Sequence, residues 1–320
     1  MLASACGDAH QSSAGIGRAA HRTIGLRTLQ LVDATRTTRA NGPFPGAPSR
    51  TLPTDVWYPA TASGSAAEAD AIDCQEERGI DPAGCALVRD AALDASGAPY
   101  PLVVLSHGFG NGKEALRYFA IALAEHGYVV AAPTFPLSNR DAPGGPIADD
   151  LVEQARDVSF VADVMLDHVA GAPSPFPGAI DRDRLGTGGR SLGGSTTLLV
   201  AFHPDFRDPR LRAAAPISPS YDVAKAVVRN DRFFDGIATP LLVVGGSDDD
   251  LAPFGPNQQL AYDRANPPKI LVDLIGEGHV PEVEATNRAL VAFFDVFLRG
   301  RTSELAVFDD LPGARVEHAP

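Results

Sequence analysis

Arg184-Leu185-Gly186-Thr187-Gly188-Gly189-Arg190-Ser191-Leu192-Gly193 is the stretch on which the reading of this chain turns. Arg184–Thr187 reads as a short strand. Gly189–Gly193 matches the pattern G-x-S-x-G. Ser191–His203 then continues as an apolar helix. A serine between glycines is by itself a weak signal. Placed between a strand and a helix it describes a sharp turn, which glycine permits because it has no Cβ to clash. Such a turn lifts the Ser191 hydroxyl clear of a sheet. It also leaves the Leu192 N–H facing the same space, at a helix N-terminus where negative charge is favoured.

The flanking sequence repeats the same alternation. Pro101–Leu105 and Tyr128–Ala132 are continuous apolar runs, as in strands buried on both faces. A helix is expected over 113–126. Over 148–169, Leu151, Ala155, Val158, Val161, Ala162, Met165 and Leu166 recur at helical spacing. Leu211–Ile217, Pro240–Gly245 and Lys269–Ile275 are further strands, and helices are expected near 256–265 and 282–299. Upstream, Thr23–Val32 and Arg50–Tyr58 read as strands joined through the turn-rich segment Asn41–Ser49. This is an α/β fold: a mostly parallel central sheet with helices on both faces. The expected organisation is one domain over 23–300, with a surface excursion at 60–99. Residues 1–22 precede it as a disordered segment and 301–320 follow as a tail. Fewer than about 25 residues separate the strands at 211–217 and 240–245, too few for a large cap domain.

The chain has 320 residues, 44% of them hydrophobic, and a net charge of −13. That is enough apolar material for a large core. An acidic chain repels phosphate backbones, so nucleic acid is not an expected partner. No apolar run approaches the roughly 20 residues of a transmembrane helix.

A serine hydroxyl needs a base, and the base needs an orienting acid. In this architecture the order along the chain is Ser, then acid, then His. Gly245-Gly246-Ser247-Asp248-Asp249-Asp250 follows one strand and Gly276-Glu277-Gly278-His279 follows the next. Both lie at C-terminal strand ends, where open α/β sheets place their sites. His279 is the base expected from this placement; His203 falls on the helix after the elbow and His318 in the tail. Asp249 is the best-placed acid, with Asp248 and Asp250 as alternatives. A calcium site in this acidic run is the weaker reading, and the chemistry requires neither a metal nor an organic cofactor. Ser106-His107-Gly108-Phe109-Gly110, directly after the strand at 101–105, should supply a second oxyanion donor. The Phe109 N–H is the candidate, paired with Leu192 N–H. His107 is assigned a structural hydrogen-bonding role.

The three cysteines fall in two places. Cys74 and Cys85 share one polar segment without a neighbouring His or CxxC spacing, which offers too few ligands for zinc and favours a local disulfide, with two free loop thiols as the alternative. Cys6 lies in Met1-Leu2-Ala3-Ser4-Ala5-Cys6-Gly7, similar to the end of a bacterial lipoprotein signal, with Leu2 one place early and no charged or long apolar region before it. The expectation is an exported protein (secreted, periplasmic or lipid-anchored at Cys6), with a cytoplasmic location as the alternative. Oligomeric state is left open.

Taken together these motifs resemble the α/β-hydrolase superfamily. The resemblance is closest to bacterial platelet-activating-factor acetylhydrolase-like and dienelactone-hydrolase-related esterases and to cutinase-like polyester hydrolases. It covers about residues 23–300. It rests on Asp55-Val56-Trp57-Tyr58-Pro59, Ser106–Gly110, His126-Gly127-Tyr128-Val129-Val130-Ala131-Ala132-Pro133, the Ser191 elbow, Asp249–Pro253 and Gly278-His279. It implies Ser191 as nucleophile, Asp249 as acid, His279 as base, and Phe109 and Leu192 as oxyanion donors. The implied activity is hydrolysis of small-molecule or polymeric carboxylic esters, short-chain, lipid-like or polyester. Hydrolysis of amides or peptides by the same triad, or a silent fold used only for binding, are the alternatives. Three departures stand out. Arg190 occupies a position where relatives commonly carry His or an aromatic, and is expected to pair with a carboxylate. Dienelactone hydrolases use Cys where this chain has Ser191. Many polyester-cleaving relatives carry a Trp after the strand matching 211–217; here Ser218-Pro219-Ser220-Tyr221 stands there, with Tyr221 the candidate substrate-binding ring beside Phe109.

Overall fold

Every residue of Tyr100–Ser106, Val129–Pro133 and Leu241–Gly246 is buried, the condition that a strand covered on both faces imposes on its sequence. The computed structural model describes residues 23–61, 87–169 and 172–319. Cys6, Cys74 and Cys85 lie outside them, as does most of the 60–99 excursion. The strands are β1 (Thr23–Asp33), β2 (Arg50–Ala60), β3 (Leu87–Arg89), β4 (Tyr100–Ser106), β5 (Val129–Pro133), β6 (Ile180–Arg190), β7 (Leu211–Ile217), β8 (Leu241–Gly246), β9 (Lys269–Leu274) and β10 (Ala314–Ala319). The helices are α1 (Arg117–Glu125), α2 (Leu151–Met165), α3 (Leu192–Phe202), α4 (Tyr221–Val228), α5 (Leu260–Arg264) and α6 (Val283–Arg299).

The strands form a single sheet in the order β10-β9-β8-β7-β6-β4-β5-β2-β1-β3. From β5 to β9 all neighbours are parallel. The β1–β2 hairpin adds an antiparallel flank, in register from Thr23↔Ala60 to Asp33↔Arg50. Side chains alternate across the central strands. Leu102 and Val104 join α2 and α3 in one apolar layer, while Val103 and Leu105 join α1 and α6 in the other. The fold is that of an α/β-hydrolase, and the connection between β7 and β8 carries only α4, so no large cap domain is inserted there.

Several boundaries moved, each for a local reason. The expected helix 113–126 begins with a 3-10 turn at Lys113–Leu116 before α1. The expected helix 148–169 likewise starts with a 3-10 turn, and α2 ends at Met165, before Asp167 takes a positive φ of 62°. The helix near 256–265 opens with a single π turn, Gly255–Gln259. β6 is longer than Arg184–Thr187 because its charged first half, Asp181–Arg184, lies at a partly open end of the sheet.

Two expectations are corrected. The excursion returns to the sheet, since β3 pairs parallel to β1. The segment 301–320 is not a tail: Thr302–Asp309 forms a 3-10 helix and β10 pairs antiparallel with β9, from Ala314↔Leu274 to Ala319↔Lys269. Its alternation of Ala314, Val316 and outward charges suits an edge strand, and Arg315 pairs with Asp273 at 2.7 Å.

Candidate active site

Backbone strain marks the elbow between β6 and α3. Ser191 has φ 59° and ψ −121°, a conformation that L-residues adopt only when the surrounding structure enforces it. The enforcement comes from close backbone approach. A Cβ on Gly189 would lie 2.5 Å from Gly193 O and 2.6 Å from Ser106 O, and one on Gly193 would collide with Ser106 O. The two glycines therefore let α3 start directly against the end of β4. The Ser191 N–H donates to Ile217 O at 2.9 Å, which ties the elbow to β7.

The loops after β8 and β9 are stitched to each other. Ser247 N–H donates to Leu274 O at 3.1 Å, Asp248 N–H to Glu277 O at 2.9 Å, and Gly276 N–H to Ser247 Oγ at 2.8 Å. Gly246 makes this possible, because a Cβ there would occupy the place of the Glu277 and Gly278 carbonyls. The stitching brings together side chains that are far apart in sequence. His279 Nδ1 lies 2.8 Å from Asp249 Oδ2, and His279 Nε2 lies 2.8 Å from Ser191 Oγ. Opposite a carboxylate, Nδ1 carries the proton, so the Nε2 lone pair faces the serine hydroxyl.

Among the three adjacent aspartates, only Asp249 is buried; Asp248 and Asp250 are exposed. Asp249 Oδ1 accepts from Leu251 N–H at 3.0 Å and Ala252 N–H at 2.8 Å. Gln258 Nε2 donates to Oδ2 at 3.3 Å from the π turn before α5. These donors hold the carboxylate with both oxygens near His279 Nδ1, Oδ1 at 3.0 Å and Oδ2 at 2.8 Å. Gln258 carried no signal in the sequence, where an amide within a helix is indistinguishable from a solvated one.

His107 is only 2% exposed. Its Nε2 accepts from Phe135 N–H at 3.0 Å, so Nδ1 carries the proton and donates to Gly108 O at 2.7 Å. Burial holds its pKa down to about 4. In a trans peptide C=O and N–H point in opposite directions, so fixing Gly108 O also aims the Phe109 N–H away from the His107 ring. A Cβ on Gly108 would stand 3.4 Å from Ser191 Cβ, which places this loop against the nucleophilic elbow. Among the described residues neither Phe109 N–H nor Leu192 N–H has an acceptor within the chain.

Other expected positions fall elsewhere. Tyr221 is corrected: its side chain is fully buried, its hydroxyl donates to Asp231 at 2.6 Å, and its ring packs on Phe233 and Phe234. It cannot meet a substrate because α4 turns it into the core. Arg190 donates to the Tyr118 hydroxyl, and among the described residues it pairs with no carboxylate. His203 is buried against Asn230, and His318 lies on β10.

Residues 91–298 match the PET hydrolase-like family, a span that runs from before β4 to the end of α6 and contains every residue of this site. The chain belongs to that family. Among curated relatives it is similar to cutinase est1 of Thermobifida alba, 26% identical over 164 residues (51% of this chain, 47% of the relative). It is also similar to a bis(hydroxyethyl) terephthalate hydrolase of Streptomyces coelicolor, 29% identical over 167 residues (52% and 46%). The match thus spans about half the length of these curated relatives. A ferulic acid esterase from Streptomyces cinnamoneus shares the fold, with a TM-score of 0.70 at 23% identity, covering 94% of this chain and 98% of that one. Members of the PET hydrolase-like family are thus the frame for the site, and no helix among the described residues is long and apolar enough to cross a membrane.

Proposed function

We propose that this PET hydrolase-like chain is a serine carboxylic-ester hydrolase, with Ser191 as nucleophile, His279 as base and Asp249 as orienting acid. The observation that carries the reading is the unbroken hydrogen-bond path Ser191 Oγ–His279–Asp249, each link at 2.8 Å. As Oγ attacks the ester carbonyl carbon, its proton passes to His279 Nε2. Asp249 keeps Nδ1 protonated and stabilises the imidazolium that forms. The negative charge moves to the former carbonyl oxygen, where Phe109 N–H and Leu192 N–H donate to it. Each such donor is worth roughly 3–4 kcal/mol in the transition state. His279 then returns the proton to the departing alkoxide. A water deprotonated by His279 attacks the acyl-enzyme, and collapse of the second tetrahedral intermediate frees the acid and restores Ser191.

The mouth of the site favours esters that are apolar and presented on accessible surfaces, polyesters included. Phe109, Leu251 and Val280 adjoin the oxyanion loop, the acid and the base, and are 48%, 73% and 58% exposed. The relatives' names, cutinase and bis(hydroxyethyl) terephthalate hydrolase, point the same way. Hydrolysis of p-nitrophenyl acetate and butyrate tests the reading, with Ser191→Ala as the control. Activity that disappears in that variant, together with fluorophosphonate labelling of Ser191, supports it; an inactive, unlabelled wild type leaves a fold used only for binding. A panel of a terephthalate polyester film, a phospholipid and short-chain esters assigns the substrate class. Export is inferred from the Cys74 and Cys85 segment, and intact mass with and without reductant tests whether these two are joined.

A further inference from the structure

Three polar side chains without any solvent exposure connect the two arms of the proposed oxyanion site. Gly110 N–H, one peptide plane beyond Phe109, donates to Ser138 O at 2.7 Å. Ser138 Oγ accepts from Gln154 Nε2 at 2.7 Å, and Gln154 Oε1 accepts from Thr196 Oγ1 at 2.6 Å. Thr196 stands one turn into α3, with Oγ1 also 3.0 Å from the carbonyl oxygen of Leu192. Ser138, Gln154 and Thr196 are all fully buried. A buried amide that satisfies hydroxyls on two different segments fixes their spacing, because breaking either bond strands a polar group away from water.

The helix that carries Gln154 is itself anchored. Asp150, Gln154 and Asp157 fall at i, i+4 and i+7, on one face of the helical turn. Arg50 donates to Asp150 at 3.1 and 2.9 Å and to Asp157 at 2.8 and 2.6 Å. Arg36 adds a contact to Asp157 at 2.7 Å. Gln154 thus lies between two residues that Arg50 pairs, Asp150 and Asp157.

We propose that Gln154 is a positioning residue: through Ser138 on one side and Thr196 on the other, it sets the separation of the Phe109 and Leu192 N–H groups. This rests on the oxyanion reading above, and the relay adds a second, side-chain tie to the direct packing of the elbow on the loop after β4. The role concerns the transition state and not the ground state. Losing it should lower kcat with little change in KM.

The test compares an ester with its thionoester, whose sulfur accepts hydrogen bonds poorly. Gln154→Met removes the bridge at similar volume, and Ser138→Ala cuts the same relay at its other end while keeping the Ser138 carbonyl. Each variant should lower ester kcat by about 100-fold, the scale of a misplacement of about 1 Å. The thionoester should slow much less, so that the ester-to-thionoester ratio falls by about tenfold. Combining the two substitutions should add little, since both break one relay. Gln154→Glu offers acceptors to both hydroxyls and should restore part of the ratio. The proposal is overturned if folded Gln154→Met or Ser138→Ala keeps the wild-type ratio, whatever happens to the absolute rate. Wild-type activity that survives Ser191→Ala would instead overturn the underlying triad reading.

Discussion

His107 and His279 sit at the same edge of the sheet, one after β4 and one after β9, and their surroundings give them opposite chemistry. His279 has a carboxylate at Nδ1 and a hydroxyl at Nε2, and its side chain retains 14% exposure. In the proposed mechanism the proton received at Nε2 puts a positive charge beside the Asp249 carboxylate. His107 has a carbonyl at Nδ1 and a backbone N–H donor at Nε2, and almost no exposure. Protonating its Nε2 would set two donors against each other in a site closed to solvent. A histidine can carry a proton through a reaction where an anion receives the charge; where backbone groups use both nitrogens, it is a fixed spacer.

The contrast can be broken by substitution. His279→Ala should lower kcat by about 10,000-fold or more, as removal of a triad member does, measured on p-nitrophenyl butyrate. His107→Asn should fall far short of that loss, because the oxyanion loop is also held by the bond from Gly110 to Ser138. Equal losses would end the distinction. Asp249→Asn comes next, with about a 10,000-fold drop from the wrong His279 tautomer. Purified variant assayed alongside a thermal melt separates this from unfolding.

The pH dependence of stability sharpens the same comparison. His107 titrates near 4 when folded and near 6.5 when unfolded. Between these values the unfolded chain binds a proton that the folded chain excludes, so stability falls as pH drops from about 6.5 to about 4. The loss from this residue amounts to about 3 kcal/mol at most. Urea midpoints across that range should show a shallower slope in His107→Asn; an unchanged slope would place the proton uptake elsewhere. The smallest effect is expected at the neighbours of the acid. Asp248→Asn and Asp250→Asn, both exposed, should change kcat/KM by less than about twofold. A large loss at Asp250 would mean that the carboxylates exchange places during turnover.

The elbow and the central strands were readable because their physical demands are local. A strand buried on both faces must be apolar throughout, and a turn as sharp as the one at Ser191 must be flanked by residues without Cβ. β10 also carried its signal, the alternation of Ala314, Val316 and charged neighbours, but with so little apolar surface that it read as a tail. Among three successive aspartates the sequence favours Asp249 as the acid, with Asp248 and Asp250 as alternatives of the same chemistry. Burial, the Leu251 and Ala252 N–H donors and the approach of His279 distinguish Asp249 from the others. Tyr221 shows the opposite limit: the resemblance to polyester-cleaving hydrolases set it where many of them carry a Trp, and the direction of α4 sends it inward to Phe233 and Phe234.

By itself, the amino-acid order determined the layered parallel sheet, the Ser191 turn and the strand ends on which His279 and the aspartates stand, since each follows from backbone geometry and apolar burial over a few residues. Tertiary structure decided which carboxylate faces His279, which histidine can accept charge, and that the amide of Gln154 bridges α3 to the loop at Ser138. Those outcomes depend on hydrogen-bond partners tens of residues away, and a polar side chain carries no mark in its own sequence of whether its partner will be water or protein.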